Sequence, residues 1–175
     1  MLRIFMSLIF LILLFHQSVF ADTNKSIAEH YFPAPQKVGE AMLTYLFWDV
    51  YRAELYASTE GWNPDKPFAL SINYLRDIKG IDIADKSISE IKDQGFNNKQ
   101  LLAIWQEQLR EIIPDVYKGT RLTGVRDNDK NTVFYHNGKK IGEIRNPQFT
   151  LLFFNIWLGE KTSEPSLRKS LLGNS

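Results

Sequence analysis

No cysteine occurs among the 175 residues. That excludes a disulfide framework, a thiol nucleophile, a thiolate-bound zinc or iron–sulfur centre and a lipid-modified cysteine. Histidine is scarce, at three residues, and neither H-E-x-x-H, G-x-S-x-G nor a phosphate-binding loop occurs. Neither sign of charge prevails: 21 Lys and Arg stand against 20 Asp and Glu, a net charge of +1. The chain therefore lacks the global basic field that draws nucleic acid or anionic lipid. With Gly 10 and Pro 7, collagen and low-complexity disorder are excluded too. What remains is 44% hydrophobic, 13% aromatic and 23% charged, globular proportions, and the length suits one domain, or one domain plus a removable segment.

Residues 1–21 are that segment. Arg3 supplies a positive charge, an apolar run of 12 residues (4–15) is broken only by Ser7, and Val19-Phe20-Ala21 ends in small residues suited to a signal peptidase. This is the anatomy of a secretory signal cleaved after Ala21. A membrane anchor needs about 18–20 apolar residues, so no stable membrane insertion is expected after cleavage. An exported chain without cysteine suggests a bacterial periplasm, and the expected location is periplasmic or secreted. Residues 22–37, with Pro33 and Pro35, read as an irregular lead-in, and residues 38–175 as the domain. Asn24-Lys25-Ser26 has the form of a glycosylation acceptor, without meaning in a bacterium.

Residues 38–57 are rich in aromatic and β-branched side chains and predict two strands bending near Phe47 or Trp48. Residues 58–67, with Gly61, Pro64 and Pro67, read as a surface loop. Phe68, Leu70, Ile72 and Tyr74 alternate with Ala69, Ser71 and Asn73, a strand with one buried face. Ile83, Ala84, Ser87, Ile88 and Ile91 stack at helical spacing until Gly95. A second helix follows, with Asn97 as cap, Phe96 packed on Leu101, and Leu102, Trp105, Leu109 and Ile112 as its buried stripe. Asp127-Asn128-Asp129-Lys130 reads as a turn and Asn137-Gly138 as a hairpin. Asn146-Pro147 opens a third helix, apolar nearly all round and hence buried, and Ser163 caps a last one carrying Leu167, Leu171 and Leu172. Strands, two helices, strands, two helices: the order predicts an α+β fold, helices layered on a largely antiparallel sheet.

Chemistry-bearing residues are few. His30 and His136 lack metal-ligand partners at any usual spacing, and no cofactor is implied. Asp127, Asp129 and Asn131 imitate the start of a calcium loop, but Thr132 stands where glycine is needed and Gly138 where a bidentate carboxylate is needed. Arg76-Asp77-Ile78-Lys79 reads as a solvated junction. Asp49, inside an aromatic strand, is expected to be exposed or paired with Arg52 or Arg76.

Several blocks resemble one family. Val38-Gly39-Glu40-Ala41, the run from Tyr45-Leu46-Phe47-Trp48-Asp49-Val50-Tyr51 to Ala57, Tyr74-Leu75-Arg76-Asp77-Ile78-Lys79-Gly80, Gly119-Thr120-Arg121-Leu122-Thr123-Gly124-Val125, Phe154-Asn155-Ile156-Trp157-Leu158-Gly159 and the ending from Ser163 to Gly173 are similar to bacterial chalcone isomerase-like proteins. The resemblance implies an open-faced sandwich of sheet and helices with a ligand cleft between them. In plant enzymes of that superfamily an arginine, a threonine and a tyrosine assist cyclisation. The resemblance places them at Met42, Tyr51 and near Ile83, where none is retained. Met42 cannot stabilise an oxyanion and Ile83 cannot transfer a proton. The resemblance thus implies a non-catalytic protein, and Met42 also removes the arginine with which fatty-acid-binding relatives hold a carboxylate.

The expected cleft residues are Met42, Thr44, Tyr51, Tyr74, Arg76 and Ile83, with Tyr51, Tyr74 or Arg76 as polar handles. The leading expectation is a binder of a fatty acid or other apolar small molecule. A scaffold with a filled cleft is the alternative, and an enzyme of unassigned chemistry a remote one. Cavity volume separates the first two, since a binder needs about 300 Å³ or more.

Overall fold

The computed structural model describes residues 23–174; the expected signal segment lies outside them. The described chain runs α1 (Thr23–Glu29), β1 (Gln36–Tyr45), β2 (Trp48–Ala57), β3 (Phe68–Tyr74), α2 (Gly80–Asp93), α3 (Lys99–Ile112), β4 (Arg121–Arg126), β5 (Thr132–His136), β6 (Lys139–Ile144), α4 (Pro147–Leu158) and α5 (Pro165–Leu171). The six strands form one sheet in chain order, every neighbour antiparallel. The expected α+β sandwich is the observed architecture.

Local chemistry sets most boundaries. β1 turns into β2 at Leu46–Phe47, where Leu46 takes φ +56°. The turn carries Tyr45, Leu46, Phe47 and Trp48 into solvent, and Phe47 is 95% exposed. Asn137 and Gly138 have φ +47° and +87°, the pair of left-handed residues that a two-residue hairpin needs. In the preceding turn the Asp127 carboxylate accepts from the Asn131 backbone N–H at 2.7 Å and its side-chain amide at 3.1 Å. Asn146 caps α4, its side chain accepting from the Phe149 N–H at 2.9 Å, with Pro147 in the first turn.

Two caps differ from expectation. Asn98, not Asn97, caps α3, accepting from the Leu101 N–H at 3.1 Å. Phe96 stacks on Trp105, ring centroids 5.1 Å apart. Ser163 caps nothing; its hydroxyl donates to the Glu90 carboxylate at 3.0 Å, and Pro165 begins α5 directly. Over residues 149–158 of α4 the side chains are buried or half-buried except Leu151, which is 55% exposed.

The sheet's inner face carries Ala53 and Leu55 of β2, Phe68, Leu70, Ile72 and Tyr74 of β3, Leu122 of β4, Phe134 of β5 and Ile144 of β6. These meet Ala84, Ile88 and Ile91 of α2, Trp105 and Leu109 of α3, Phe149, Phe153 and Phe154 of α4 and Leu167 and Leu171 of α5. β1 approaches α5 closely enough that a Cβ at Gly39 would lie 2.2 Å from the Ser170 carbonyl oxygen.

The outer face is covered in part too, which corrects two expectations. The lead-in (22–37) is not irregular throughout: it forms α1, and β1 already begins at Gln36. Ile27, Ala28 and Phe32 pack on Tyr56, Ala69, Val125 and Val133. β3 is accordingly buried on both faces rather than one. Asn24, wholly buried, anchors α1. It donates to Glu54 Oε2 at 3.0 Å and accepts from the Ser71 hydroxyl at 2.8 Å.

Candidate functional site

Where β1, β2 and β3 meet α2 and α4, the inner face leaves a cavity of about 370 Å³. Strand alternation decides which side chains enter it. Leu43 of β1 pairs across the ladder with Tyr51 of β2, and Tyr51 with Tyr74 of β3. All three point at the helices and line the cavity, with Val50, Ile78 and Ile83 beside them and Ile156 and Trp157 of α4 opposite. Deeper along the sheet, between Leu70, Ile72, Leu122 and Phe153, the cleft narrows to about 40 Å³. Tyr74, Ile83, Ser87 and Trp157 belong to both compartments.

The two tyrosines meet edge to face, centroids 6.0 Å apart. Tyr51 Oη accepts from the Trp157 indole N–H at 2.9 Å, so its own proton remains free to donate. Burial pushes the Tyr51 phenol up to about 12; the Trp157 hydrogen bond acts against that, and the Glu164 and Glu90 carboxylates add to it. Tyr74 is pushed up further, by burial and then by Tyr51. Both phenols stay neutral at physiological pH and serve as hydrogen-bonding groups, not as bases.

The rim is more acidic than basic. Asp82, Glu90 and Glu164 line it, with Lys86 as the single cation among the lining residues. Lys86 is held by Glu90 at 2.7 Å. No arginine or histidine lines this cavity, and among the described residues no cluster of three potential ligands could hold a metal ion.

Of the six expected cleft residues, Tyr51, Tyr74 and Ile83 come together here. Met42 and Thr44 do not, because alternate residues of β1 face opposite ways and Leu43 takes the inward position. Met42 sits beside Arg52 on the outer side, and the Thr44 hydroxyl donates to the Asp49 carboxylate at 2.7 Å. Arg76 lies outside the cavity, its guanidinium 4.7 Å above the Trp48 ring. Asp49 is exposed as one expectation had it, but Arg52 pairs with Glu40 at 3.6 Å and Arg76 with the indole. The 76–79 junction is pinned as well as solvated: Asp77 accepts from the Lys118 N–H at 2.9 Å, and Lys79 binds Asp115 at 2.6 Å. β1 presents the apolar Leu43 to the cavity.

The family model described as chalcone isomerase-like matches residues 38–173. The chain belongs to the chalcone isomerase-like family. No curated protein matches it by sequence. Among solved structures it is similar to an Arabidopsis thaliana fatty-acid binding protein, with a TM-score of 0.64 and 12% identity over 82% of this chain and 89% of that one. At that identity the likeness is one of fold, and it agrees with the sheet and helix layers of this chalcone isomerase-like chain.

Proposed function

We propose that this chain is an exported, non-catalytic protein that binds an apolar small molecule such as a fatty acid, seated against Tyr51, Tyr74 and Ile83. The carrying observation is the cavity of about 370 Å³, within the roughly 300–1,000 Å³ of small-molecule sites. Its sheet-side walls are largely apolar, and the neutral phenols of Tyr51 and Tyr74 stand among them. Such a site offers burial and hydrogen bonds, while the Ser87 hydroxyl is committed to the Ile83 carbonyl and Glu90 to Lys86 and Ser163, an arrangement that supports binding over reaction. The fold shared with a fatty-acid binding protein supports the same reading. Rim carboxylates in excess of cations make headgroup charge unhelpful here, so affinity comes from the chain. Each added methylene contributes about 0.8 kcal/mol, roughly fourfold in affinity, until the cavity is full.

Calorimetric titration with linear alcohols of increasing length tests this. One saturable site is expected, strengthening about fourfold per carbon before levelling, and lost in Ile83→Trp, which fills the cavity. Absence of binding at any length would support the filled-cleft scaffold instead. Export is tested by the intact mass of the protein from its natural compartment, expected to begin at Asp22.

A further inference from the structure

A second cavity, also about 370 Å³, lies at the other end of the inner face, between the β2–β3 loop, the end of β4 and α4. β3 spans the distance between the two: Tyr74 lines the first cavity and Phe68 the second, six residues or about 20 Å apart. We propose that this second cavity binds an amphiphile with a carboxylate headgroup, with Arg126 and the Trp62 indole N–H as its anchors. The proposal goes beyond the Tyr51–Tyr74 site and stands whether or not that site takes a ligand.

Arg126 is the unusual residue. It pairs with Phe68 across the ladder, shares the inward phase of Leu122 and Gly124, and is only 6% exposed. Arginine is almost never buried so far without a carboxylate. Here its guanidinium donates to two backbone carbonyls, of Asp65 at 3.1 Å and Asp127 at 3.3 Å, leaving other N–H groups of its five without a protein acceptor among the described residues. Burial pulls its pKa down, and the Asp65 and Asp127 carboxylates only partly counter that. A buried cation in this condition is stabilised by an anion brought to it.

The second donor is independent of the first. Trp62 Nε1 is buried and has no hydrogen-bond partner among the described residues, and no other side-chain polar atom among them is in that state. Buried indole N–H groups normally find an acceptor. Trp62 and Arg126 line the same cavity, with Lys130 and Asp65 as its other charged residues. Its remaining walls include Phe68, Leu151, Phe154 and Leu158. Planar guanidinium, a lone N–H and apolar walls together suit a carboxylate carrying an apolar body.

The two cavities carry separate reporters, because Trp157 Nε1 binds Tyr51 in the first and the Trp62 side chain lines the second. The experiment titrates the full mature chain with sodium decanoate and with 1-decanol, following the four indole N–H resonances by nitrogen-15 NMR. Decanoate is expected to move the Trp62 resonance saturably and decanol to move it far less. In Arg126→Met the Trp62 response to decanoate should weaken by at least about tenfold, the low end for a lost hydrogen bond to a charged group. Arg126→Lys should recover only part, since an ammonium lacks the planar fork. Should Arg126→Met not fold, Leu151→Trp narrows the same cavity from its exposed rim and should give the same loss. The proposal is overturned if decanoate moves Trp157 alone, if neither resonance responds, or if decanoate reaches Trp62 as well in folded Arg126→Met as in the unmodified protein. Failure of the Tyr51–Tyr74 reading would instead appear as an unresponsive Trp157 with alcohol.

Discussion

Replacing Asn24 with alanine removes the polar pin that holds α1 to the outer face of the sheet. Hydrogen bonds converge on that side chain, among them donation to Glu54 Oε2 at 3.0 Å, and acceptance from Ser71 Oγ at 2.8 Å and, more weakly, Thr123 Oγ1 at 3.4 Å. After truncation Ser71 and Thr123 still have each other at 3.1 Å, so one buried hydroxyl proton is left without an acceptor, a cost of about 1–3 kcal/mol. Glu54 also loses a donor, but its side chain is 24% exposed and water replaces part of that bond. The expected loss is about 2–3 kcal/mol, a large share of the roughly 5–15 kcal/mol that keeps a domain folded. Urea unfolding should show the midpoint falling by about 1–2 M, with m in the usual range of about 1–3 kcal/mol/M. Asn24→Asp sharpens the test, because the new carboxylate faces Glu54 and its pKa rises above the ordinary value of about 3.9. A carboxyl raised in the folded state weakens folding as pH climbs past its unfolded pKa, so this variant should be least impaired at acid pH and most impaired at neutral pH. A midpoint for Asn24→Ala indistinguishable from the unmodified protein would refute the reasoning and leave α1 held by apolar contact alone.

Tyr51→Phe strands the Trp157 indole N–H, and should lower stability by about 1–2 kcal/mol while shifting the Trp157 indole resonance in the ligand-free protein. Phe47→Ser touches nothing buried, since Phe47 is 95% exposed; its thermal midpoint should stay within the effect of about 0.5 kcal/mol. Asp85 is held below the ordinary carboxylate range by hydrogen bonds from Arg110 and then Gln106. A lowered pKa stabilises above the unfolded value and is lost as pH falls through the folded one. The small loss in Asp85→Asn should therefore be visible near pH 7, vanish in acid, and shrink in high salt.

Elements marked by their own residues are legible in the sequence alone. The Asn137-Gly138 hairpin, the Asn146-Pro147 helix start and the stripe of Ala84, Ile88 and Ile91 depend on neighbours only a few positions away. α1 is not legible in that way, because its seven residues contain just two buried apolar side chains, Ile27 and Ala28, and so short a helix has no stability of its own. It exists by docking. The second buried face of β3 is hidden for the same reason, since Ala69 and Ser71 look like solvent positions until α1 lies over them. In the site, Tyr51 and Ile83 are reached through the family resemblance, whose motifs fall on them, and Tyr74 shares the inward phase of Phe68, Leu70 and Ile72 on β3. Met42 is one step out of phase, and a one-residue shift along a strand reverses the face; register irregularities at Lys37/Gly39 and Leu43/Thr44 add to the difficulty. Arg126 is inconspicuous because an arginine closing a strand looks solvated. Its signal is its phase, shared with Leu122 and Gly124. Trp62 is masked by a loop whose glycine and prolines argue for the surface.

The occupancy of the Tyr51–Tyr74 cavity is the central claim, and native mass spectrometry addresses it directly. Protein purified without detergent from cells that make it should carry a non-covalent apolar adduct in one copy, and Ile83→Trp prepared in parallel should lose that adduct. An unmodified protein that shows only its bare mass, and stays bare after incubation with long-chain alcohols and acids, would contradict the account.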